Sequence, residues 1–73
     1  MYQRTLSNAH QTRRFIIQRS AASGWEVRDE QDSRVLRAMS YRDWHRVERA
    51  REAFAREAAQ LEENGWTDYS TNR

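Results

Sequence analysis

The stretch SYRDWHRVERAREAF (Ser40–Phe54) decides the fold of this chain. It admits three readings: a reaction centre, a basic recognition helix, or one wall of a core. Within it Trp44, Val47, Ala50 and Phe54 recur at steps of three and four, and Ala58 and Leu61 continue the pattern. On a helical wheel these positions fall in a stripe about 80° wide, the pattern of a surface helix with one buried face. Neither Pro nor Gly interrupts until Asn64–Gly65, a stop signal. The helix then runs about 22 residues, roughly 33 Å. Ser40 followed by Asp43 fits a capping box in its Asp form, and Trp66 is placed to fold back onto the last apolar turn.

Upstream the period changes from helical to alternating. RRFIIQRS (13–20) puts Phe15 and Ile17 on one side and Arg14, Ile16 and Gln18 on the other. WEVRDE (25–30) alternates Trp25 and Val27 with Glu26 and Arg28. RVLRAMSY (34–41) is a third strand with an ambiguous inward set, because Val35, Met39 and Tyr41 share a face with Arg37. In the connection before Trp25, Gly24 can take a positive φ, and Glu30–Ser33 forms a polar turn. Connections this short imply hairpins, hence an antiparallel meander. The expected fold is α+β in the order β-β-β-α: a three-stranded sheet over 13–41, then one long helix packed on one sheet face. Residues 1–12 are expected as a flexible arm, 13–66 as a single domain and 67–73 as a flexible tail. The expected core anchors are Phe15, Ile17, Trp25, Val27, Trp44, Val47, Phe54 and Leu61.

Composition narrows the function. At 73 residues, with 37% hydrophobic and 33% charged, the chain has room for one thin core. It has no Cys, so neither a disulfide nor a thiolate metal site supports that core. All 13 basic residues are Arg, set against 11 acids for a net charge of +2. The absence of Lys matches a GC-rich bacterial genome, and the interspersed acids argue against an arginine set chosen for phosphate. No apolar run is longer than Phe15–Ile17, which excludes a membrane-spanning helix and leaves the cytoplasm as the expected location.

A reaction centre is the poorest of the three readings. Asp43 and His45 lie two apart, about 200° around a helix, so their side chains diverge. His10 falls on the expected arm, no second ligand faces His45, and two glycines cannot make a phosphate loop. We therefore expect no enzyme, no catalytic residue, no metal and no cofactor. Arg42, Arg46 and Arg49 on the helix, with Arg14 and Arg28 on the open sheet face, form the expected binding surface. In strand order, an early strand Trp and a backing helix, the chain is similar in layout to the plant ethylene-response DNA-binding domain and the Trp-Gly-Arg domain. It lacks the Trp-Gly-Arg triplet, and no functional residue carries over. Glu26, Asp29, Glu30 and Asp32 dilute the basic face. The preferred role is accordingly a protein-interaction or self-associating module, a homodimer included, with nucleic-acid binding as the alternative. Neither a small-molecule ligand nor a membrane is expected as a partner. Residues 42–51 carry four Arg and two acids and residues 52–63 four acids and one Arg, a polarity that suits two helices lying antiparallel.

Overall fold

A computed structural model describes residues 2–21 and 23–70. The order is β1 (Tyr2–Asn8), β2 (Gln11–Ser20), β3 (Gly24–Gln31), β4 (Arg34–Tyr41), α1 (Trp44–Glu63) and β5 (Thr67–Asp68). The α+β class, the antiparallel sheet and the C-terminal helix agree with expectation. Four main strands precede the helix where three were expected. The sheet order is β4-β3-β2-β1-β5, with every pairing antiparallel.

The additional strand lies in the expected arm. Its inward row is Tyr2, Arg4 and Leu6, and only Leu6 has the apolar signature of a strand facing a core. Arg4 is tolerated there because Asp68 meets it: Arg4 Nε donates to Asp68 Oδ2 at 3.0 Å, and Nη2 donates to the same oxygen. Glu62 Oε1 lies 3.5 Å from Arg4 Nη2. Residues 67–70, expected as part of the tail, seal this edge. Leu6 and Ser7 pair with Asp68 and Thr67, Tyr69 N–H donates to Thr5 O at 2.7 Å, and Thr5 N–H donates to Ser70 Oγ at 2.9 Å.

Two-residue turns set the β1–β2 and β3–β4 registers. Asp32 and Ser33 both have positive φ, 52° and 68°, as a type I′ turn requires. The Asp32 carboxylate accepts from Thr12 N–H at 2.8 Å, and Asp32 N–H donates to Thr12 O at 2.9 Å, anchoring the turn to β2. At the β2–β3 connection Ser23, and not Gly24, takes the positive φ. Gly24 serves close approach instead: a Cβ there would sit 2.8 Å from Tyr41 O.

The helix starts on Asp43, whose Oδ1 accepts from His45 N–H at 2.9 Å. Ser40 belongs to β4, so the Ser40–Asp43 box does not form; Asp43 is itself the cap. The C-terminus is a Schellman motif, with Gly65 at φ 96°, Trp66 N–H donating to Leu61 O and Gly65 N–H to Glu62 O. At 20 residues, or roughly 30 Å, α1 is long enough to carry the chain from the β4 edge back to the β1 edge. One core results, between α1 and one sheet face. Leu6, Phe15, Ile17 and Val27 meet Val47, Phe54 and Ala58, with Phe15 and Phe54 ring centroids 4.8 Å apart. Trp25 and Leu61 are partly buried against this cluster. Trp44, expected as a buried anchor, is 45% exposed. It occupies the first helical position, above the end of the sheet, with its ring against that of Trp25 (centroids 4.7 Å apart). No helix among the described residues is long and apolar enough to cross a membrane.

The β5 closure titrates. Burial pushes the Asp68 carboxyl up, but hydrogen bonds from Ser70 and then the Arg4 guanidinium outweigh it, leaving its pKa below the ordinary carboxylate range. A carboxyl depressed on folding contributes stability above its unfolded-state pKa, about 3.9, and loses it as pH falls through the lower folded value. Wild-type stability should therefore fall below about pH 4, and Asp68→Asn should flatten that fall in urea titrations across pH 5 to 2. Parallel curves for the two proteins would contradict this role of Asp68.

Candidate interaction surface

The expected binding arginines divide between two sides of the molecule. Arg14 and Arg28 lie on the sheet face away from α1, where they alternate with acids across the strands. Arg14 Nη1 is 3.5 Å from Glu30 Oε1, Arg28 Nε 2.9 Å from Glu30 Oε2, and Arg28 Nη1 3.9 Å from Glu26 Oε1. Gln18 also donates to Glu26 at 2.9 Å. Two guanidiniums and two carboxylates neutralise one another, so this face has no cationic excess for a phosphate backbone. Ile16 points to the same side yet is only 4% exposed, set in register between the long side chains of Gln3 and Arg28. The open face is thus largely self-satisfied.

Arg42, Arg46 and Arg49 are exposed and make no ion pair among the described residues. Arg46 and Arg49 lie on α1, across the sheet from Arg14 and Arg28, while Arg42 precedes the cap at the end of the sheet, its Cγ beside Gly24. His45 is exposed, with Nδ1 3.9 Å from Glu48 Oε1; His10 sits in the β1–β2 turn at the other end of the sheet. No group of three or more His, Cys, Asp or Glu side chains that could hold a metal occurs among the described residues.

The least satisfied surface is β4. All of its residues up to Ser40 are exposed, and Val35, Leu36 and Met39 show 53%, 51% and 53% of their surface to solvent. Tyr41, Met39 and Arg37 register with Trp25, Val27 and Asp29, which assigns them to the helix side of the sheet. A bulge at Asp29/Glu30 then shifts the ladder, so Val35 registers with Glu30 of the open face. That shift separates the four residues that simple alternation puts together. On the helix side α1 does not close over β4. Its flank there carries the small Ala50 and Ala53, and a groove of about 190 Å³ remains between them and Val27, Met39, Tyr41 and Phe54.

Charge closes one end of the groove. Asp29, 1% exposed, accepts from Arg13 Nη2 at 3.1 and 3.0 Å and from Arg37 Nη2 at 2.7 Å. Glu57 on α1 accepts from the same two guanidiniums, at 3.2 Å from Arg13 and 2.9 Å from Arg37. Two acids and two arginines form a ring joining β2, β3, β4 and α1. Sequence reasoning missed it, although Arg13, Asp29 and Arg37 all sit at inward positions of their strands. That coincidence of charges at inward sites was the available signal.

Comparison with protein-family models, curated proteins and solved structures finds no match for this chain.

The ring makes a stability prediction. Asp29→Ala removes the buried carboxylate that both guanidiniums share, leaving the largely buried Arg13 with Glu57 alone, and should cost about 3–5 kcal/mol. Arg37→Ala removes a side chain that is 61% exposed and should cost about 1 kcal/mol or less. Urea unfolding of the two variants gives both numbers, and equal costs would contradict an Asp29-centred ring.

Proposed function

We propose that this chain is a small non-enzymatic module of a bacterial cytoplasm that binds a protein chain through the outer edge of β4 and the adjoining groove. One observation carries the reading: the two sheet edges are treated oppositely. The β1 edge is sealed by residues 67–70 and the Arg4–Asp68 pair. The β4 edge is eight residues long, has no Pro, and places three large apolar side chains more than half in water. Proteins ordinarily blunt such edges, because a free strand is a template for pairing with another chain. Addition of a strand there supplies main-chain hydrogen bonds, and the groove supplies a pocket for alternate side chains.

Nucleic-acid binding is the second reading. It draws on Arg42, Arg46 and Arg49, which have no ion pair among the described residues, and on the half-open Trp44. The self-neutralised charges around Arg14 and Arg28 weigh against it.

A photoreactive benzoyl-phenylalanine at position 39, compared with one at Glu52 on the exposed side of α1, separates the readings in native extracts. Discrete protein adducts from position 39 and none from position 52 are expected. Equal labelling at both positions, or adducts that nuclease removes, would overturn the protein reading.

A further inference from the structure

We infer that the occupant of the β4 edge is a second copy of this chain, joined antiparallel about a two-fold axis through Met39. The inference rests on the β4 reading and names its partner. Four features of the strand favour a copy of itself.

Symmetry supplies the first. An edge strand can pair with its own copy about a two-fold axis perpendicular to the sheet, with no second binding surface required. Both helices then lie on the same side of one continuous sheet, running in opposite directions. The basic first half of each helix falls on the side of the axis where its partner places the acidic second half.

Register supplies the second. The bulge interrupts β4 before Arg37, so the regular stretch is Arg37–Tyr41, and Met39 is its midpoint. A two-fold axis at Met39 pairs Met39 with its copy, Ala38 with Ser40 and Arg37 with Tyr41, so no like charges meet. Centring on Arg37 sets two guanidiniums directly opposite, which destabilises a strand pair. Centring on Ala38 takes the bulge into the ladder and opposes Arg34 to Arg42. Centring on Ser40 shortens the paired segment to Met39–Tyr41.

Fit supplies the third. Met39 stands at the mouth of the groove beside Tyr41, Ala50 and Ala53, and is half-exposed in the single chain. Unbranched thioether side chains fill irregular gaps of this kind, and the two-fold axis brings a second one to the same place.

Need supplies the fourth. Among the described residues only seven side chains, four from the sheet and three from α1, form the buried cluster, a thin core for a chain of 73 residues. Small domains with so little core gain from association.

Cysteine scanning tests the register, because the chain has no native thiol. Facing Cβ atoms across an antiparallel pair lie roughly 4.5–5.5 Å apart. Under mild oxidation Met39→Cys should form a disulfide-linked dimer at least ten times faster than Leu36→Cys, a position equally exposed but off the axis. Sedimentation of the wild type should show the mass rising from 8.8 kDa toward twice that value with concentration. Met39→Glu sets two carboxylates face to face on the axis and should stay monomeric with an unchanged circular dichroism spectrum. A wild type that remains monomeric up to hundreds of micromolar, or equal oxidation rates at positions 39 and 36, would overturn the self-pairing. If the photoreactive residue at 39 still captures a different protein, the β4 reading survives and only the identity of its partner falls. If it captures nothing, both fall.

Discussion

Asp29 is the residue on which the arrangement of this small protein turns. Its carboxylate is removed from water at the point where β3 faces both β2 and β4. A charge there persists only with partners on every side, since an unpaired buried carboxylate is costly. Arg13 and Arg37 provide them, and Glu57 balances the second guanidinium from the helix above. The ring fixes which way β4 lies under α1 and the distance between them. It also ends the apolar core on that side, so the space beyond Phe54 is a groove instead of more packing.

From this constraint the two edges acquire different characters. One helix cannot cover a five-stranded sheet, and this one runs from the end of β4 to the edge of β1. At its end the chain turns through Gly65 and lays residues 67–70 along β1, closing that edge with backbone bonds and the Arg4–Asp68 pair. Nothing among the described residues does the same for β4. The exposure of Met39 thus follows from how the ring and the helix share the sheet, the bulge leaves Val35 exposed on the open face, and both belong to an edge that a partner strand would cover.

Much of this was legible in the sequence, and what was missed has identifiable causes. The alternation of Phe15 and Ile17, and of Trp25 and Val27, located β2 and β3, and the steps of three and four from Val47 to Leu61 located α1. Asn64–Gly65 marked the helix end because a residue at positive φ is needed there. β1 escaped because Arg4 occupies an inward site and its partner, Asp68, is 64 residues away. Local pattern carries no trace of such a pair. Trp44 fits the helical stripe, yet its place at the first turn leaves it over the end of the sheet. Charge alone singles out the binding arginines in the sequence. Strand register turns Arg14 and Arg28 toward Glu26 and Glu30, and register is a property of the assembled sheet. The groove was illegible for a similar reason: Ala50 and Ala53 leave space only because their flank of the helix faces β4.

Amide hydrogen exchange along β4, followed as a function of protein concentration, tests the unsealed edge most directly. Every second amide in Arg37–Tyr41 points away from β3 and lacks a partner in the single chain. These amides should exchange rapidly in dilute solution and slow as concentration rises, while those of β1 keep one rate throughout. Exchange that stays fast in β4 at every concentration and in native extract would contradict the account, because the edge would then be open without being used.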